Sequence, residues 1–121
     1  MRTLVMTVTL EAEGRPYGES PLRVSGSAPL GRTFSYEISA GGGLSLIPGI
    51  VGLSQITSFV LTTTAAVTFW INGQGGDGIP IAAGGLVALF GLTDTIGDPL
   101  WQITNGGIVN ARIRGVVLGL A

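Results

Sequence analysis

The 121-residue sequence contains no cysteine, no histidine and no lysine. Without cysteine the chain has no disulfide, no thiolate metal site and no cysteine nucleophile. Without histidine and lysine it lacks the commonest general base and metal ligand and the nucleophile that forms Schiff bases. Catalysis would depend on seven carboxylates, six arginines, two tyrosines and hydroxyl groups. We therefore expect a protein that is not an enzyme and that binds no cofactor or metal ion.

Charged residues are also scarce. They make up 11% of the chain, compared with about 25% in an ordinary globular domain, and the net charge is −1. The arginines are scattered singly except for Arg112 and Arg114, so we expect no nucleic-acid partner. Hydrophobic residues account for 45%, and 21 glycines add further apolar character. A small domain with so few charges is expected to cover much of its surface with other protein chains.

A long hydrophobic run is missing as well. Residues 47–69 are the most apolar stretch, but 11 of these 23 residues are Pro, Gly, Ser, Thr or Gln. A membrane-spanning helix needs about 20 predominantly apolar residues. The N-terminal residues alternate between apolar side chains and threonine and do not form the apolar block of a signal peptide. We expect neither a membrane partner nor a secretory leader.

The sequence does contain apolar side chains at every second position. Residues 3–11 and 33–39 alternate in this way, as half-buried strands do. Residues 55–63 and 66–72 are rich in β-branched and aromatic side chains, which is typical of central strands. Glycine or proline interrupts almost every window, so no helix of three turns is predicted. The side chains expected to face inward in the first two strands are Leu4, Met6, Val8, Leu10, Phe34, Tyr36 and Ile38.

The C-terminal part adds three strand candidates, at residues 86–92, 101–104 and 108–118. Asn105-Gly106-Gly107 lies between the last two, and Asn-Gly between alternating runs is a strong signal for a hairpin with a type I′ turn. We therefore predict that the last two strands pair with each other. In the last strand the expected inward side chains are Val109, Ala111 and Ile113, and the expected outward ones are Asn110, Arg112 and Arg114.

The strand pattern predicts the fold class. Seven or eight short strands separated by turn signals indicate an all-β protein, a single-domain antiparallel β-sandwich over residues 1–121 with negligible helix. We favour a jelly-roll-like sandwich over an immunoglobulin-like one, because the cysteine and tryptophan framework of antibody domains is absent. Residues 13–31 hold three prolines and four glycines, and we predict an ordered loop or extended arm there, with one short strand at 22–24.

The segment NGQGGDG places Gly73, Gly75 and Gly78 on the dinucleotide-binding pattern G-x-G-x-x-G. That pattern binds a pyrophosphate only where the glycine loop opens a helix. Here Pro80 and a later pair of glycines would break a helix within two turns. We therefore interpret the segment as a connection between two antiparallel strands, with Pro80 in an edge strand or at a strand start and a second bend at AAGG.

Two other groups of side chains are candidate sites. An aromatic and acidic sugar site would use Trp70, Asn72, Asp77, Asp94 and Trp101, although core tryptophans and turn-forming Asn and Asp explain the same residues. The carboxylates of Glu11, Glu13 and Glu19 are interpreted as solvated groups and not as an acid and base pair. The exposure of the two tryptophans on one face would favour sugar binding, and their burial would favour a structural protein.

Residues 68–91 and 103–119 resemble a known group of proteins in their succession of strands and of N-G, G-I-P and G-G turns. The group is the small jelly-roll virion proteins of tailed bacteriophages, which comprise head-decoration (cement) proteins and related tail or fibre modules. The resemblance covers about the C-terminal half and carries no catalytic motif. It implies a structural virion protein that binds the outer surface of the head as an oligomer.

The resemblance also implies partners. These are further copies of the chain, most simply a homotrimer at the local three-fold positions of a capsid, and the major capsid protein or other virion proteins. Arg112 and Arg114 are the candidate subunit or capsid contacts, because the guanidinium fork suits carboxylates and carbonyls at an interface. The alternative function is a carbohydrate- or receptor-binding β-sandwich module of a phage tail or fibre.

Overall fold

Alternating apolar and polar side chains produce strands along the whole chain. The computed structural model describes residues 1–16, 18, 21–45, 51–71, 77–92 and 101–120, which form strands and turns and no helix. The predicted all-β class is therefore confirmed. No helix in this part of the chain is long and apolar enough to cross a membrane. The strands are β1 (Arg2–Val8), β2 (Glu11–Ala12), β3 (Arg15–Pro16), β4 (Leu22–Ala28), β5 (Leu30–Ile38), β6 (Gly43–Ser45), β7 (Gln55–Thr63), β8 (Val67–Trp70), β9 (Ile79–Ile81), β10 (Leu86–Leu89), β11 (Gln102–Thr104) and β12 (Ala111–Leu120).

Two four-stranded sheets form the sandwich. Sheet I has the strand order β10-β7-β12-β5, and sheet II has the order β6-β11-β8-β9. Every pair of neighbouring strands is antiparallel. The richly β-branched and aromatic strands β7 and β8 each lie between two neighbours, as their composition predicted.

The pairing within the sandwich is nested. The first of its strands pairs with the last, β5 with β12, and the following pairs are β6 with β11, β7 with β10 and β8 with β9. Successive pairs alternate between sheet I and sheet II. This connectivity is that of a long hairpin rolled into two sheets, which is the jelly roll. The described part of the sandwich has eight strands, within the predicted seven or eight, and β1 to β4 lie outside it.

The core consists of side chains that point from both sheets into the space between them. Phe59 of sheet I and Phe69 of sheet II stack with their ring centroids 5.6 Å apart. Trp101 is edge-on to both rings, at 5.4 Å from Phe59 and 5.7 Å from Phe69. Full burial of such a side chain stabilises a fold by about 1.5–3 kcal/mol. The predicted inward residues Phe34 and Ile38 are buried in the same core.

The glycine-rich segment after β8 joins two antiparallel strands, as predicted. Strand β9 pairs with β8, with Pro80 opposite Thr68, and β9 is the edge strand of sheet II. An edge position suits proline because its nitrogen donates no hydrogen bond to a further strand. The second bend is also present, since Gly84 has a φ of 76° and the chain then enters β10.

The predicted hairpin between the last two strands is wrong. Strand β11 pairs with β6 and β8 in sheet II, whereas β12 pairs with β5 and β7 in sheet I. The link at Asn105-Gly106-Gly107 therefore crosses from one sheet to the other, and none of its residues has a positive φ. The free energy gained when the two sheets bury their apolar faces against each other outweighs the preference of Asn-Gly for a hairpin turn. The inward placement of Val109 is wrong too, because Val109 precedes β12 and is 58% exposed.

Residues 13–31 contain more strand than predicted. The short strand expected at 22–24 extends to Ala28, and it pairs along its whole length with β1, from Arg2 opposite Ala28 to Val8 opposite Leu22. We call this two-stranded sheet of β1 and β4 the ribbon. Its tip is the short hairpin of β2 and β3. The predicted arm is therefore a hairpin that begins at the N-terminal residues, and Leu10, beyond β1, is 52% exposed and not inward-facing.

Candidate functional site

The face of sheet I that points away from the core carries the candidate contact residues. In β12, Ala111 and Ile113 are fully buried, so the side chains that alternate with them, Arg112 and Arg114, point outward as predicted. We call this side of sheet I the outer face. The strand register places the following further side chains on it: Thr33 and Ser35 of β5, Ser58, Val60 and Thr62 of β7, and Val116 and Leu118 of β12.

Arg112 already has partners within its own chain. Its Nη2 lies 3.8 Å from Oε2 of Glu37 on the neighbouring strand, and its Nη1 donates to Oγ of Ser35 at 3.3 Å. Asn110 Nδ2 donates to Oε1 of the same glutamate at 3.2 Å. The ion pair is about half exposed, so it contributes at most about 1 kcal/mol to stability. Arg112 is thus a weaker candidate for a contact with another chain.

Arg114 differs from Arg112 in this respect. Its main-chain carbonyl accepts a bond from Thr62 Oγ1 at 3.4 Å, but its guanidinium has no hydrogen-bond or ion-pair partner among the residues that the structure describes. The outward side chain opposite it on β5 is Ser35, which is not charged. An exposed guanidinium of this kind is available to a carboxylate or carbonyl on another molecule.

Arg114 borders a shallow depression of about 600 Å³ on the outer face. Val60 and Val116, which are opposite each other in the β7–β12 register, supply apolar side chains to it, and threonine and serine hydroxyls supply polar ones. We call this hollow the open depression. It is lined by Thr33, Phe34, Ser35, Val60, Thr62, Arg114, Gly115 and Val116.

The ribbon covers the other end of the outer face. Gly26 of β4 lies on Ser58, so closely that a Cβ on it would be 3.2 Å from the Ser58 Cβ and 3.5 Å from Cδ1 of Phe90. The absence of a side chain at Gly26 lets the backbone of the ribbon approach sheet I closely. The sequence signal was the alternation of Leu22, Val24, Gly26 and Ala28, which the many prolines and glycines of residues 13–31 obscured.

The two tryptophans do not share a surface. Trp101 is 3% exposed and belongs to the core. Trp70 is half-buried on the opposite side of sheet II from Phe69, and its Nε1 donates to Oγ1 of Thr104 at 2.9 Å. A stacking platform of two exposed rings is therefore not formed. Of the other residues weighed for a sugar site, Asp77 is exposed, and Asn72 and Asp94 lie outside the described residues.

The remaining candidates from the sequence are placed as follows. Glu11 and Glu13 are exposed at the tip of the ribbon, and Glu19 lies outside the described residues. Gly78 packs against the ring of Trp70 and the side chain of Thr68, which accounts for the absence of a side chain there. Gly73 and Gly75 also lie outside the described residues. In the described part of the chain, no three acidic side chains are grouped as metal ligands would be.

Compared with known proteins, the chain matches no family model, no curated protein and no solved structure.

Proposed function

We propose that the chain is a structural virion protein of a tailed bacteriophage, a capsid decoration (cement) protein that binds the outer surface of the head as a homotrimer. The observation that carries this proposal is the outer face of a jelly-roll sandwich, on which Arg114 borders the open depression and has no partner for its guanidinium among the described residues. Both features suit contact with another protein chain and neither is required by the fold.

The arrangement of the core supports the same interpretation. Aromatic and aliphatic side chains occupy the space between the two sheets, so the surfaces available to a partner are on the outside of the sandwich. A guanidinium can bind the carboxylates and carbonyls of a partner, and the valines of the depression can be covered by apolar side chains. Because copies of a decoration protein repeat over the whole shell, a modest contact energy for each copy adds up to a large stabilisation.

The proposal predicts self-association and binding to capsid shells. At tens of micromolar, sedimentation velocity should show a closed oligomer of the wild-type chain. The oligomer should also co-sediment with empty shells assembled from the capsid protein of the same virus and raise the temperature at which they disrupt. Arg112→Glu with Arg114→Glu should weaken association, since each like-charge contact at an interface costs several kcal/mol.

A matched control distinguishes the loss of a specific contact from the effect of a change in net charge. Arg32→Glu makes the same change in net charge as Arg114→Glu alone, at an exposed position of β5 that belongs neither to the lining of the open depression nor to the ribbon. This variant should associate like the wild type, because surface substitutions outside a contact are nearly neutral. A monomeric wild type at tens of micromolar would refute self-association, and shells that do not retain the chain would refute decoration.

A further inference from the structure

The ribbon is a projecting element with an apolar side. Gly26 and Ala28 of β4 lie on or near sheet I, while the distal end of the ribbon carries Leu22, which is 51% exposed. Met6 and Val8 of β1 are half-buried on the same side of the ribbon, opposite Val24 and Leu22. Leu22 lies four residues from the anchoring contact at Gly26, which is about 13 Å along the strand.

A two-stranded ribbon has little stability by itself in water. Its anchored end is stabilised by the packing of Gly26 on Ser58 and Phe90. Phe90 directly follows β10, the edge strand of sheet I, so the contact at Gly26 lies near that edge of the outer face. Among the described residues, none of the ribbon lines the open depression, so the ribbon of the same chain leaves this part of the outer face uncovered.

The described residues at the tip of the ribbon include the carboxylates of Glu11 and Glu13. Glu13 and Gly14 form a two-residue turn between Ala12 and Arg15, with φ values of 53° and 75°. Two positive φ values in such a turn define type I′, in which asparagine and glycine are the favoured residues. Glutamate is unusual there, because a side chain with a Cβ is strained at positive φ. The tip displays Glu11 and Glu13 together with one arginine, Arg15.

The open depression complements the ribbon, because it offers an apolar surface and a positive charge to the ribbon's apolar side and carboxylates. Val60 and Val116 offer an apolar floor beside the part of sheet I that its own ribbon already covers. At its border lies the guanidinium of Arg114, which is unpaired within the described part of the chain. The outer face of sheet I, on which the ribbon of the same chain packs, is thus continuous with the uncovered open depression. A second ribbon on this part of the face would use the same kind of contact that anchors the first.

We infer that the ribbon of one copy binds the open depression of the next copy, with the carboxylates of Glu11 and Glu13 close to the guanidinium of Arg114. The donor and acceptor surfaces are different parts of the same chain, so the contact is head-to-tail and closes into a ring when the rotation between copies permits it. This inference rests on the proposed self-association and names the two surfaces that produce it.

Cysteine cross-linking tests the contact directly, because the chain has no cysteine of its own. Chains with Glu13→Cys are mixed with chains carrying Arg114→Cys and a mass tag, exchanged, and oxidised. We expect a disulfide-linked pair of unlike chains in at least about tenfold higher yield than with Ile108→Cys as the acceptor, since proximity raises the effective concentration of the thiols. Ile108 is a suitable control because it is 95% exposed and lies on the link between the sheets. Equal yields would overturn the inference.

Charge exchange provides a second test that does not depend on a disulfide. Glu11→Arg with Glu13→Arg, and separately Arg114→Glu, should each weaken association by about tenfold or more in sedimentation equilibrium. The triple variant that carries all three changes should recover association to within about threefold of the wild type, because the opposite charges meet again.

The possible outcomes distinguish the inference from the function on which it rests. A wild type that is monomeric refutes both. A wild type that associates while the tip variant and Arg114→Glu associate unchanged refutes only the ribbon contact. Loss of association in both variants without recovery in the triple variant also contradicts the pairing of the tip with Arg114.

Discussion

At the scale of single residues, Gly115 shows how closely the sandwich is packed. It lies in the middle of β12 and faces the ring of Phe34, and an added Cβ would be 2.8 Å from Cε1 of that ring and closer still to the carbonyl oxygen of Val60. The missing side chain leaves room for Phe34 to stack on Phe59, with ring centroids 5.7 Å apart. Glycine is required here by space and not by backbone conformation.

Gly115→Ala should therefore destabilise the protein. We expect the free energy of unfolding to fall by about 1–3 kcal/mol, the usual cost of an inserted group in a packed core. In a domain of this size the melting temperature should fall by several degrees. Gly106→Ala is the control, because nothing lies within 4 Å of a Cβ at that position, and it should melt like the wild type. Equal melting temperatures of the two variants would contradict this account of Gly115.

At the scale of elements, the link between β11 and β12 is held by one buried side chain. Asn105 is 1% exposed, and its Nδ2 donates to the carbonyl oxygens of Ile38 at 3.1 Å and Val109 at 2.8 Å. Its Oδ1 accepts from the main-chain nitrogen of Gly107 at 3.1 Å. The amide thus satisfies buried polar groups where the chain leaves sheet II and enters sheet I. The sequence predicts only a turn at Asn105, whereas in the structure its side chain holds the crossing between the sheets.

Asn105→Ala should lower the free energy of unfolding by about 2–3 kcal/mol, because it leaves buried carbonyl groups without a donor. Chemical denaturation monitored by tryptophan fluorescence measures this. Asn110→Ala is the matched control. Asn110 is exposed and accepts from the Ala40 nitrogen at 3.1 Å, so its loss should cost less than about 1 kcal/mol. The account is wrong if both variants lose the same stability.

At the scale of the whole molecule, the jelly roll decides what the glycine-rich segment does. A dinucleotide loop needs a following helix whose N-terminal amides bind the pyrophosphate. Here the next described elements are the strands β9 and β10, which belong to different sheets of the sandwich. The segment thus connects strands, and of its glycines Gly78, which is described, packs against the ring of Trp70.

Melting temperatures measured with and without millimolar NAD or ATP should accordingly agree to within about one degree. A ligand present at about 100 times its dissociation constant stabilises the folded state by about 2.7 kcal/mol. For a domain of this size that corresponds to several degrees. A shift of that extent with either nucleotide would contradict our interpretation of the segment and would reopen the question of an enzyme.

Some features of the candidate site follow from the sequence pattern of a single strand, and others depend on how the strands pair. The outward direction of Arg112 and Arg114 follows from their alternation with Ala111 and Ile113, and the structure bears it out. The difference between the two arginines does not follow from the sequence, because it depends on Glu37 being opposite Arg112 on β5. The depression beside Arg114 also required the register of three strands, so no local pattern indicated Val60 or Val116 as its neighbours.

The sequence by itself determined the all-β class, the two central strands, the edge position of Pro80 and the poverty of catalytic groups. Each of these depends on composition or on the period of side chains along a strand, which are local properties. Only the tertiary structure decided which strands pair apart from β8 with β9, that β11 and β12 lie in different sheets, and that β1 and β4 form a ribbon. Pairing brings together residues far apart in sequence, and the burial gained by closing both sheets over one core outweighs the preference of any single turn.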